Sequence, residues 1–166
     1  IYSYASALNY FLKFQVKVTS DTIGTFVMFS SLLAFLGTSV ILVRLIKKYD
    51  EKLIHRTMIF IGIMLMSIIL FRLNLGTVSY VLMAIYTMTY EIVRSLGNSI
   101  IAHRYKNEQG KILGVASAVG FLGNAMGSLL SGHLLNANSR LPFIVNISIM
   151  SIVLVFLFVQ RTIEKK

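Results

Sequence analysis

Four polar side chains lie inside one apolar stretch, residues 76–102, at the spacing of a single helix face. Thr87, Glu91, Arg94 and Asn98 follow an i, i+4, i+7, i+11 pattern. If the stretch is helical, this spacing forms one polar stripe. A carboxylate and a guanidinium near the middle of an apolar stretch are costly in lipid and are usually functional.

A neighbouring acid and base suggest proton chemistry. Burial favours the protonated carboxyl group, whereas a nearby cation favours the carboxylate. A pair such as Glu91 and Arg94 can therefore change protonation state when water reaches it. We predict a water-accessible cavity in which Glu91 binds and releases a proton with Arg94 as its partner. The alternative is a structural ion pair that neutralises itself between helices.

Other side chains near the stripe are candidates for contact with a small molecule. Aromatic and methionine side chains make adaptable apolar surfaces. Two of these candidates belong to the stripe itself, and one lies in a later apolar stretch. The candidate substrate-contacting residues are Met83, Tyr86, Thr87, Tyr90, Asn98 and Asn124.

The stretch 112–135 is rich in small residues, which predict close helix packing. Small side chains let helix backbones approach each other in lipid, where the GxxxG pattern is the best-known example. Gly123 and Gly127 form such a pattern. The glycines that we expect at helix contacts are Gly114, Gly120, Gly123 and Gly127.

The composition requires a membrane around these elements. Of the 166 residues, 56% are hydrophobic and only 13% are charged, with a mean hydropathy of +0.77. A soluble domain has about 25% charged residues. The apolar runs suit helices that need about 20 residues to cross a bilayer, and they lack the alternation of transmembrane β-strands. We predict spans at 24–46, 57–73, 76–102, 112–135 and 141–160, and a partial one at 1–12.

Several classes of function have no support in the sequence. The net charge of +10 lies between apolar runs rather than on one basic face, which argues against a nucleic-acid partner. The chain has no cysteine, and its three histidines show no metal-ligand spacing. No nucleotide-binding motif and no nucleophile–base set is present. We therefore expect no cofactor, no metal and no enzymatic activity.

The distribution of lysine and arginine predicts an orientation. Most of them lie in segments 44–56, 103–111 and 161–166, which alternate with segments that carry few. The positive-inside rule places the basic segments in the cytoplasm, so we expect a cytoplasmic C-terminus and expect residues 136–140 to be outside.

Residues 89–135 also resemble a known family. The segment TYEIVRSLGNSIIAHRYKNEQGKILGVASAVGFLGNAMGSLLSGHLL is similar to helices ten and eleven of major facilitator drug:proton antiporters of Gram-positive bacteria. In that group an acid is followed by two apolar residues and an arginine, here Glu91 to Arg94, and later by Gln109-Gly110. The chain departs from the family at Ser95 and Ser128, where prolines are usual.

The resemblance implies an all-α membrane protein that forms the C-terminal six-helix bundle of a twelve-helix major facilitator fold. It implies a proton-coupled secondary transporter that exports amphipathic drugs across a bacterial cytoplasmic membrane. Its partners would be a small-molecule substrate, protons, lipid and a missing N-terminal half, since the chain begins at Ile1. The alternatives are a porter for a sugar, peptide or metabolite, and a non-transporting membrane packing module.

Overall fold

The chain folds into long helices, and the described connections between them are short and polar. The computed structural model describes residues 19–71 and 77–164, and no strand occurs among them. The helices are α1 (Ser20–Ile46), α2 (Glu51–Phe71), α3 (Thr77–Arg104), α4 (Gln109–Ala137) and α5 (Leu141–Glu164), with a 3₁₀ turn, Lys106–Glu108, before α4. The predicted all-α class is confirmed, and the predicted partial helix at 1–12 lies outside the described residues.

These residues form helices because lipid offers no hydrogen-bond partner to the backbone. The N–H and C=O groups of each spanning segment must therefore bond to one another, as they do in a helix. The helices end where the sequence becomes polar. The N–H groups of Lys48 and Tyr49 both donate to Leu45 O as α1 ends. Pro142 lies in the first turn of α5, where its missing N–H removes no helical hydrogen bond.

Four of the described helices are long and apolar enough to cross a membrane: α1, α2, α4 and α5. Together they make this a multi-pass membrane protein. The remaining long helix, α3, has 28 residues but carries the polar stripe and is not in this set. A helix that is long enough to span and too polar to face lipid on all sides belongs inside a bundle.

The packing agrees with that position. α3 contributes more side chains to the buried core than any other described helix and packs against α1 and α2, while α5 packs on α2. Met66, Tyr86 and Phe143 are almost completely buried. The outer surfaces of the other helices carry large exposed apolar side chains such as Phe35 and Phe156, as expected for a surface in contact with lipid.

Gly37 and Gly62, which do not belong to the predicted packing glycines, have the least room for a side chain among the glycines compared. A Cβ on Gly37 would collide with Met88 of α3, and a Cβ on Gly62 would lie 3.1 Å from Met150 Cε. Gly37 begins a π-helical segment, Gly37–Leu42, within α1. These two glycines bring α1 and α2 against the central helix.

The small-residue helix α4 is open by comparison. Its buried residues are Ser131 and Leu135. A Cβ on Gly114 or Gly123 would meet nothing within 4 Å in the described structure, while Gly120 and Gly127 are half-buried. The predicted packing role of these glycines therefore requires a partner other than the described residues.

Candidate functional site

Glu91 and Arg94 lie one helical turn apart in the middle of α3. Arg94 Nη1 is 3.6 Å from Glu91 Oε2, and the side chains are 49% and 35% exposed, respectively. This separation is an ion pair rather than a short hydrogen bond. The two groups attract each other, yet both keep open surface toward the outside of the described bundle.

The rest of the stripe lies on the same side of α3. Asn98 is exposed and Thr87 is half-buried. The Thr87 hydroxyl donates to Met83 O at 2.9 Å, which satisfies it within the helix. By contrast, Ile92 and Leu96 are almost fully buried against the neighbouring helices. The helix therefore has one packed face and one polar face that stays partly exposed in the described bundle.

Two residues predicted to line a substrate cavity lie in the core instead. Met83 is 2% exposed and Tyr86 is 0% exposed. Their proximity to the stripe in sequence suggested access to a small molecule, but the packing of α3 turns them toward the other helices. Tyr90 on α3 and Asn124 on α4 are half-buried and retain open surface.

Tyr86 is part of a buried polar contact that joins α3 to α5. Asn146 Nδ2 donates to the Tyr86 hydroxyl at 3.0 Å, and that hydroxyl lies 3.5 Å from Met150 Sδ. Gly62 of α2 packs beside the ring of Tyr86. A Cβ added to Gly62 would lie 3.8 Å from Tyr86 Cε2. A buried hydrogen bond between two helices favours one register of the helices. Asn146, an amide side chain within an apolar run, was the sequence signal that could have revealed this contact.

A second polar contact joins the beginning of α2 to the end of α3. Ser99 Oγ donates to the Glu51 carboxylate at 3.3 Å, and His103 Nδ1 lies 3.5 Å from Glu51 Oε2. No local sequence pattern indicates this contact, because its members are 48 and more residues apart. It connects two helices at the end of the bundle that we predict to be cytoplasmic.

Metal chemistry has no donor set in the part of the chain that the structure describes. No three histidine, aspartate or glutamate side chains there come together in a way that could hold an ion. The functional chemistry available on the polar face of α3 is therefore that of Glu91, Arg94 and their neutral polar neighbours: ion pairing, hydrogen bonding and proton exchange.

Comparison with known proteins gives one match. The family model described as Major Facilitator Superfamily matches residues 1–166. Neither the curated proteins nor the solved structures gave a match.

Proposed function

Because the chain belongs to the Major Facilitator Superfamily, a family of secondary transporters of small molecules, we propose that it is the C-terminal half of a proton-coupled exporter of amphipathic drugs. Glu91 is the proton-binding group and Arg94 its charged partner. The matching N-terminal half would supply the other wall of a central cavity.

The observation that carries this proposal is the uncovered ion pair. A carboxylate and a guanidinium in the middle of a spanning helix are costly against lipid, and Glu91 and Arg94 are 35% and 49% exposed in the described bundle. Their face therefore needs water or further protein rather than acyl chains. A central cavity meets that requirement, and it also gives Glu91 access to protons.

The same face supplies groups for a substrate. Asn98 offers an amide to hydrogen-bond with a ligand, and Tyr90 offers an aromatic ring. Asn124 of α4 is the candidate from the neighbouring helix. The substrate proposal no longer includes Met83 and Tyr86, because both are buried in the core.

Protonation offers a physical means of coupling. With Glu91 ionised, the pair is neutral overall and its attraction holds the two side chains together. When Glu91 takes a proton, its attraction to Arg94 is lost, which favours a conformation in which water reaches the guanidinium. A cationic substrate competes with the proton for the same carboxylate, so binding of one favours release of the other.

We also propose that the basic turns around Lys48 and Lys106 face the cytoplasm of a bacterial cell, as the charge distribution predicts. A single cysteine at position 50 should be unreactive toward a membrane-impermeant thiol reagent in intact cells and reactive in inverted vesicles. None of the 166 residues is a cysteine, so within this part of the protein only the introduced residue would react. Labelling from outside intact cells would reverse this orientation.

Substitution of Glu91 tests the proposal. Glu91→Gln keeps the size and hydrogen bonding of the side chain but removes its titration. In proteoliposomes that contain the full-length protein, we expect this variant to lose accumulation of ethidium driven by a pH gradient. Exchange of ethidium across the membrane without a gradient should persist in part, because the variant loses the carboxylate that attracts the cation but keeps the other residues of the cavity. Glu91→Asp should retain part of the driven transport.

The matched control is Glu108→Gln, which removes a carboxylate from the exposed turn before α4. It should transport as the unaltered protein does. If the pair is only structural, the double variant Glu91→Gln with Arg94→Gln should restore normal pumping. Normal proton-driven pumping by Glu91→Gln alone would disprove the coupling role.

A further inference from the structure

A cavity of about 240 Å³ lies between α2, α3 and α5, away from the polar face of α3. It is located where α2 begins and α3 ends, at the end of the bundle that we predict to be cytoplasmic. Residues from all three helices line it, among them Lys52, His55, Arg56, Ile101, Arg104 and Leu157. None of the proposed transport residues contributes to it.

The side chains that line this cavity carry more positive than negative charge. Lys52, Arg56 and Arg104 are cationic, and the described residues that line the cavity include no acid. Asp50 and Glu51 line an adjoining cavity that shares Lys52 and Arg104, and the Glu51 carboxylate is bonded to Ser99 and His103. Cations held close together repel each other, so an anion in the cavity would relieve that repulsion. Arginine suits a phosphate because its planar group can donate two parallel hydrogen bonds.

The remaining walls are apolar. Ile100, Ile101 and Leu157 line the same cavity as the arginines. The Arg56 guanidinium also lies 5.8 Å from the centroid of the Phe158 ring, which holds it beside an apolar surface. A site that is lined by both cations and aliphatic side chains matches a molecule that has an anionic head and a hydrocarbon tail.

We propose that this cavity binds the phosphate of an anionic phospholipid headgroup, with Arg56 and Arg104 as the principal contacts. Basic pockets between helices at the membrane surface are suited to such headgroups. A free phosphate offers the same charge, but it would gain nothing from the isoleucine and leucine walls. The site would tie α2, α3 and α5 to one leaflet of the bilayer.

The test measures lipid binding to the purified full-length protein by native mass spectrometry. Phosphatidylglycerol should bind more tightly than phosphatidylcholine, which has the same phosphate but no net charge. Each arginine removed should weaken the preference about fivefold, which corresponds to about 1 kcal/mol per basic residue near the surface. The test variants are Arg104→Gln, at the exposed end of α3, and Arg56→Gln combined with Arg104→Gln.

The control variant, Lys47→Gln combined with Lys111→Gln, removes the same charge from exposed positions that do not line the cavity. It should keep the lipid preference. Equal binding of the two lipids by the unaltered protein, or a full preference in the double arginine variant, would overturn the proposal. A third arm titrates inorganic phosphate; arginine-dependent binding of phosphate as tight as that of the lipid would reject a lipid as the ligand. Transport is not the readout, so failure of the proton-coupling hypothesis leaves this result unaffected.

Discussion

The two faces of α3 differ in what covers them. One face presents Tyr86, Ile92 and Leu96 to the other helices, and these residues are no more than 1% exposed. The other face presents Glu91 and Arg94, whose side chains are 35% and 49% exposed. The same 28-residue helix thus contributes both the centre of the core and the candidate site.

This difference separates stability from transport. In lipid, helices associate through close packing and interhelical hydrogen bonds, since lipid tails are as apolar as leucine. The packed face of α3 provides both, so substitutions there should affect folding. The polar face contributes little packing in the described bundle, so substitutions there should affect transport while the fold persists. Each prediction below tests one side of this division.

The largest effect on folding should come from Gly62→Leu. The position of a Cβ at Gly62 lies 3.1 Å from Met150 Cε, 3.8 Å from Tyr86 Cε2 and 3.9 Å from Thr89 Cγ2. A leucine would push α2 away from α3 and α5, at a cost of about 1–3 kcal/mol or more. Fluorescence-detected size-exclusion chromatography after heating should show a lower melting temperature and less folded protein. Unchanged stability would mean that α2 does not pack there.

A smaller effect should follow from breaking the contact between Tyr86 and Asn146. Tyr86→Phe and Asn146→Leu each remove one side of the 3.0 Å hydrogen bond. In a double-mutant cycle on unfolding of the membrane-embedded protein, we expect a coupling of about 0.5–1 kcal/mol, the range found for hydrogen bonds between membrane helices. Transport by Tyr86→Phe should persist once the protein is folded. A coupling of zero would show that the pair does not join α3 to α5.

The smallest effect should come from Gly123→Ala in α4. A Cβ there would meet no described atom within 4 Å, and alanine is the better helix former. We expect the melting temperature to change by the equivalent of less than about 0.5 kcal/mol. A clear loss of stability would instead locate a helix over the small-residue face of α4, as the GxxxG pattern predicts. The comparison with Gly62 distinguishes glycines in contact from glycines that only fit the pattern.

Local sequence patterns were sufficient to predict the helices and their polar stripe. Runs of about 20 apolar residues require helices in lipid, and Glu91 and Arg94 share a face because three residues separate them in a helix. The superfamily could also be recognised from residues 89–135 and is shown by the match to the whole chain. Membership of the drug:proton antiporters, export of amphipathic drugs and proton coupling through Glu91 are proposals.

Contacts between helices could not be predicted in this way. Asn146 meets Tyr86 across 60 residues of sequence, and Glu51 meets Ser99 across 48. The sequence also does not show how each helix is rotated about its axis. That rotation buries Met83 and Tyr86, and it places Gly37 and Gly62 in close contacts while Gly123 stays open. Packing of all the helices together decides these positions.

The central claim is that the Glu91 face of α3 borders water, and site-directed spin labelling tests it most directly. Single nitroxide labels at positions 87 and 98 would lie on this face. Two further labels serve as references: position 86 lies on the packed face of α3, and position 122 lies on the exposed apolar face of α4. In liposomes that contain the full-length protein, collisions with a water-soluble nickel complex report water, and collisions with oxygen report lipid. We predict strong nickel and weak oxygen collisions at 87 and 98, the reverse at 122, and neither at 86. Strong oxygen collisions at 87 and 98 would show that this face borders lipid. Weak collisions with both nickel and oxygen at these two positions would show that it is packed against protein. Either result would contradict the claim that the face borders water.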